Sequence, residues 1–204
     1  MADESCPPVP RLYSRITGAL RQIFIYRFSS ADRISQDILK NYIWTSDPET
    51  SRILIESVTR WNVRAMQQRP AIVIKRNSVS TVQLGIDDGI RVGAPSSIED
   101  VGEIKQIGMT GSHTIFAIAG TGAETEALAQ ECFHELVEYG SVLRKDLGLH
   151  KFRAVEVGPV AKLEEDRERW VSPIVCGWAY VYAWRLRPYG PTLKTFDVDI
   201  ILEV

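Results

Sequence analysis

Cysteine and histidine are scarce in this sequence, net charge is low, and long apolar runs are absent; each closes off a class of function. The three cysteines, Cys6, Cys132 and Cys176, are odd in number and far apart. They supply neither a disulfide framework nor the paired spacing of a zinc site. Cys132 and Cys176 fall in apolar patterns, which predicts buried free thiols and a reducing compartment. Of the three histidines, His113, His134 and His150, only His134 falls on a predicted helix, with Glu131 three residues before it. A metal would need further converging ligands, so His134 is expected on a helix flank, partly exposed, and no metal or cofactor is expected. The net charge of -2 argues against a protein that coats nucleic acid. No apolar run approaches the roughly 18 residues that cross a bilayer, and Asp3 and Glu4 with no apolar stretch behind them do not make a signal peptide.

What is present centres on residues 111–147, GSHTIFAIAGTGAETEALAQECFHELVEYGSVLRKDL. His113 to Ala119 is a short apolar run rich in β-branched and aromatic residues, ended by Gly120, and predicts a buried strand. From Ala123 the period changes to that of a helix. Ala129, Cys132, Phe133, Leu136, Val137 and Leu143 make its apolar stripe. Glu124, Glu131, Glu135 and Glu138 share another face, expected either as a solvated surface or as a charged surface toward a neighbouring subunit. Thr121 or Gly122 caps the start, and Glu124 and Glu126 suit the positive helix end.

Upstream, residues 1–10 predict a loose tail. Arg11 to Phe28 carries Leu12, Ile16, Ala19, Leu20, Ile23 and Phe24 at helical spacing, although IFIYRF alone also suits a strand. Ser29 to Trp44 predicts a further short helix. Asp47-Pro48-Glu49-Thr50 resembles a helix start, with Ile53, Leu54, Val58 and Trp61 on the helix that follows. Ala71–Lys75 and Val79–Leu84 predict two strands joined by a turn at 76–78, and 85–102 a long loop with a short strand near Ile90. Ile104–Met109 is a further strand.

Downstream, Phe152–Val157 predicts a strand and 160–165 an edge or turn. The run 170–185, WVSPIVCGWAYVYAWR, alternates. Trp170, Ile174, Cys176, Trp178, Tyr180, Tyr182 and Trp184 point one way; Val171, Val175, Ala179, Val181 and Ala183 point the other. As one strand it reaches about 50 Å, beyond the usual length. Residues 187–191 predict a turn, and Phe196–Val204 the second strand of a long hairpin. The fold class is α+β: a mostly antiparallel sheet, one long helix across it, a helical N-terminal arm over 1–68 and a core domain over 69–204.

Chemical motifs fail on inspection. Gly120-Thr121-Gly122 sits where phosphate loops sit, but Thr125 replaces the third glycine of a dinucleotide fingerprint and no P-loop lysine follows. A tight strand-to-helix turn explains it, with an enzyme binding a small ligand at the Gly120–Gly122 corner as the rival reading. The glutamate row lies along one helix, whereas glycosidases place two carboxyls across a cleft. Ser14, Ser112 and Ser141 lack any triad context. An aromatic row such as Trp178, Tyr180, Tyr182 and Trp184 suits base stacking only with interleaved basic residues, which are missing. It is expected under the long helix, with any surplus covered by another chain as an oligomer-contact strand.

The order of strand, glycine turn and long helix, then LHKFRAVEVGPVAKLEED, then WVSPIVCGWAYVYAW, resembles the tail-terminator and neck proteins of tailed bacteriophages over roughly residues 69 to 187. The resemblance implies a structural, non-enzymatic virion protein at the head-tail junction. It implies a ring, usually a hexamer, that ends the tail tube, meets portal-side connector proteins and sometimes sheath, and lets DNA pass without specific binding. A head-side stopper of the neck is the neighbouring reading. Under either, Glu124, Glu131, Glu135 and Glu138 are candidates for a channel or subunit-interface face.

Overall fold

The computed structural model describes residues 9–60, 69–82, 89–90, 103–164 and 168–186. Residues 1–8 of the tail expected over 1–10, the turn at 187–191 and the closing strand Phe196–Val204 lie outside these residues, while Val9 and Pro10 of that tail belong to the first helix.

Val9–Arg27 forms α1. Leu12, Ile16, Leu20, Phe24 and Phe28 recur every fourth residue, so they line one face, and all five are fully buried. At roughly 1.5–3 kcal/mol for each fully buried side chain, this stripe makes α1 a core element rather than an arm. The expected helix over 29–44 is instead two single 3-10 turns, Ala31–Arg33 and Asp37–Leu39. Among the described residues the helix expected after Asp47 does not form either; Trp61, expected on that helix, lies outside them. Asp47 Oδ1 accepts from Glu49 N at 3.1 Å and Oδ2 from the Thr50 hydroxyl at 3.2 Å, so the same residues close a turn. Strand β1, Leu54–Ser57, follows. Arg69 Nη1 ties the turn down through Pro48 O and Ser51 O.

Among the described residues the sheet has seven strands: β1, β2 (Ala71–Val82), β3 (Gly89–Ile90), β4 (Glu103–Ala119), β5 (Lys151–Val157), β6 (Ala161–Lys162) and β7 (Trp170–Leu186). Its main order is β1-β2-β4-β7-β5, with β3 on β4 and β6 on β7. Only β1 and β2 run parallel. The architecture is therefore α+β with a mostly antiparallel sheet. Residues 76–78 are a bulge within β2, not a turn between two strands. The two strands expected before Ala119 are one, β4, and it pairs with β7 along the whole length of both, from Glu103 with Leu186 to Ala119 with Trp170. The long partner of β7 is thus β4.

The expected long helix is divided into α2, Gly122–Glu138, and α3, Gly140–Asp146, with Tyr139 between them. After α3, Gly148 takes φ 64°. Gly148 N then reaches Lys145 O at 3.2 Å and Leu149 N reaches Arg144 O at 2.8 Å, a Schellman ending that glycine permits. The buried face of α2 is Thr125, Leu128, Ala129, Glu131, Cys132, Glu135 and Leu136. Val137, expected inside, is exposed.

One hydrophobic cluster joins the α1 stripe to Ile72, Ile74, Ile115, Leu128, Cys132, Ile174, Cys176 and Trp178. The division expected at 68/69 falls between β1 and β2, neighbours in one sheet. A second, smaller cluster holds Ala71, Val73 and Ile118, with Phe116 and Val171 against it. Among the described residues no helix is long and apolar enough to cross a membrane.

Candidate functional site

The four glutamates do not form the expected solvated face. Glu124 completes a capping box: Thr121 Oγ1 accepts from Glu124 N at 3.2 Å, and Glu124 Oε2 accepts from Thr121 N at 3.2 Å. Its other oxygen accepts from the Tyr42 hydroxyl at 2.6 Å. Burial, and then this bond to Glu124, pushes Tyr42 up to about 12.

Glu131 and Glu135 are 2% and 0% exposed. α1 covers them, and Arg27 in its last turn supplies the cation. Glu131 Oε1 accepts from Arg27 Nε at 2.7 Å and from Ser35 N at 3.0 Å. Arg27 Nη1 lies 3.3 Å from Glu135 Oε2 and 3.6 Å from Glu138 Oε2. Burial drives the Glu135 carboxyl up to about 7, with Arg27 opposing and Glu138 and Glu131 reinforcing the rise. Only Glu138 keeps an exposed side chain, near the exposed His134. As a lining for a channel, this row has lost its two central members to the core. Arg27 was missed because nothing in its own segment says which helix it will meet.

The aromatic row of β7 divides in the same way. Trp178 and Tyr180 are buried, Tyr182 is half-buried, and Trp184 is outside the residues whose side chains are described. Trp178 packs on Tyr13 of α1, ring centroids 5.7 Å apart. The row is core packing for at least Trp178 and Tyr180, so neither is free as an oligomer contact, and their cover is α1 as well as α2. Trp178 Nε1 donates to His113 Nδ1 at 3.2 Å. An indole nitrogen only donates, so Nδ1 is the acceptor and the ring proton sits on Nε2. That nitrogen lies 3.0 Å from Thr17 Oγ1, whose own proton goes to Tyr13 O at 3.1 Å. The chain of donors runs indole, imidazole, hydroxyl, carbonyl, and fixes neutral His113 between sheet and helix. Burial, helped by Arg76, holds it down to about 4. In the sequence His113 is only the first residue of an apolar strand; the signal was Trp178 across the sheet from it.

The other side of β7 is different. Val171, Val175, Ala179, Val181 and Ala183 are all half-buried and uncharged, with Val171 packed on the second cluster. At the sheet's edge Val155 and Val157 of β5 are exposed. On the α2 side an open groove of about 710 Å³ runs beside Val157, between α2 and the turn after β5, lined by Gln130, His134, Val137, Pro159 and Val160.

The Gly120–Gly122 corner is occupied by its own groups. The Thr121 and Glu124 amides are both used by the capping box, and the Trp170 ring lies 3.8 Å from where a Gly122 side chain would begin. Thr125 is buried, its hydroxyl bonded to Thr121 O at 2.8 Å. Among the described residues no group of three or more His, Cys, Asp or Glu is placed to hold a metal. Cys132 and Cys176 are buried free thiols, and burial pushes Cys176 up to about 12.

No family model matches this chain, and no curated protein matches it.

Proposed function

We propose that this chain is a structural virion protein of a tailed phage. In this reading it is a ring-forming subunit at the head-tail junction that ends the tail tube and joins it to the portal-side connector. One observation carries the self-assembling part. The outward row of the 17-residue strand β7 carries no charged side chain, and Val175, Ala179, Val181 and Ala183 in it are partly exposed, while Val171 packs on the second cluster. Lys151 and Arg153 of β5 stand in register with Ala179 and Gly177 and put a basic rim on that face. A partly exposed apolar strip with a charged rim suits contact with a second copy of the chain. The order of elements that resembles terminator and neck proteins supports the location. Its partners in this reading are copies of itself, as a hexamer, together with tube, sheath and connector proteins. DNA passes through the ring unbound, and the chain performs no catalysis.

The test is an amber stop in this reading frame within the phage that encodes it. The expected result is filled heads without tails, beside free tails of uncontrolled length. Fully tailed particles of normal length from the non-suppressing host would overturn the proposal. Heads that leak DNA beside tails of normal length would move the role to the head-side stopper.

A further inference from the structure

We propose that the joint between α1 and α2 is a proton-binding site: Glu135 is held there as the neutral acid, and surrendering that proton loosens the last turn of α1 from α2. The inference does not depend on where the protein acts.

The geometry sets the charge count. Arg27 is shared by two enclosed carboxyls, Glu131 and Glu135, and by the half-exposed Glu138. Glu131 takes the well-aligned Arg27 Nε bond and the Ser35 amide. Glu135 is fully enclosed, and among the described residues neither of its oxygens has a hydrogen-bond partner. Arg27 Nη1 is near Oε2 but not aligned to donate to it. An enclosed carboxylate without donors carries the full cost of losing water. A second carboxylate charge beside Glu131, which holds the Arg27 Nε bond, adds repulsion at low dielectric. Protonation removes both costs and leaves Arg27 paired with Glu131.

The remaining groups at the joint do not change the count. From α1, Tyr26 packs edge-on to Tyr139, and Arg33 is engaged with the Tyr26 ring, Tyr26 O and Ser29 Oγ. From α2, the Cys132 thiol is kept neutral by burial and by Glu131 and Glu135. His134 reaches only Glu138, at 3.9 Å. Burial-driven elevation of the Glu135 carboxyl agrees with the geometric argument.

Loosening concerns the turn that carries Arg27. Phe24 and Phe28 there are buried in the same cluster as Leu12, Ile16 and Leu20, so α1 keeps its place and only the hold of its last turn on α2 weakens. The test has two arms on the full chain. A carboxyl-carbon NMR titration of wild type reads the Glu135 midpoint directly. A midpoint near neutrality supports the site, and one in the ordinary carboxyl range overturns it. Amide exchange of residues 24–28, corrected for intrinsic rates, is compared at pH 6 and 8.5 in wild type and in Glu135→Gln. Protection in wild type is expected to fall about tenfold at the higher pH and to stay constant in the variant. Equal loss in both proteins, or no loss in wild type, overturns the loosening.

Discussion

The indole of Trp178 lies directly over Gly111, its partner across the β4–β7 ladder. A Cβ added at Gly111 would sit 2.4 Å from the ring. The ring cannot retreat, because Tyr13 packs on it and His113 holds its N–H. Gly111→Ala is therefore an overpacking change, expected to cost about 1–3 kcal/mol. In a chain of this size that lowers Tm by roughly 2–4 °C per kcal/mol. In a Trp178→Phe background the same change should cost less, and a double-mutant cycle by urea denaturation measures the coupling. Additive costs would show that the ring yields freely.

Arg27 stands between two buried carboxyls, so its removal alone is worse than the removal of all three side chains together. Arg27→Leu alone is expected to cost about 3–5 kcal/mol at pH 7. Arg27→Leu combined with Glu131→Leu and Glu135→Leu should recover most of that loss. Chemical denaturation of both proteins decides it; a triple variant no more stable than the single one would contradict this account.

Stability should peak in mildly acidic solution. His113 drops from 6.5 to about 4 on folding. The unfolded chain therefore binds more protons between those values, and His113 costs stability as pH falls through that window, up to about 3 kcal/mol. Glu135 rises from 4.5 to about 7. The folded chain then binds more protons between those values, so stability is lost as pH rises through 7. The two slopes oppose each other where the windows overlap. Urea melts from pH 4 to 8.5 should show wild type declining on both sides, and Glu135→Gln declining only on the acid side. Parallel profiles would reject the assignment of the alkaline limb.

Thr121→Ala removes the cap of α2 and is expected to cost about 1 kcal/mol, with Thr121→Ser nearly neutral. Thermal melts of the two variants test it, and equal losses would point to the methyl group rather than the hydroxyl.

If the outward row of β7 is an assembly surface, Ala179→Lys with Val181→Glu should abolish self-association and leave Tm within a few degrees of wild type. Sedimentation velocity reads the first and calorimetry the second. An assembly that survives both charges would place the contact elsewhere.

Much of this fold was legible because a period of two runs unbroken through β7, and because every fourth residue of α1 is large and apolar. The misreadings share a cause. Gly111 looks like a break between two strands, yet β4 runs through it, and Gly111 is bare so that Trp178 can lie on it. Asp47 offers the same side-chain bonds to a turn as to a helix. Glu131 and Glu135 look like solvent-facing residues until a cation arrives from Arg27, more than a hundred positions away. Local pattern fixes the period of an element; which of its faces is covered depends on what another part of the chain brings to it.

The β4–β7 ladder also sets the order of folding. It joins residues 103 and 186 at one end and 119 and 170 at the other, with α2, α3 and β5 between. Pairing so distant in sequence forms slowly, because a large loop must close before any contact rewards it. Because β7 is synthesised after β4, the edge of β4 that β7 covers has no partner strand from this chain until β7 emerges. The nascent chain then offers an unpaired, apolar edge strand to whatever chaperone or sister chain reaches it first.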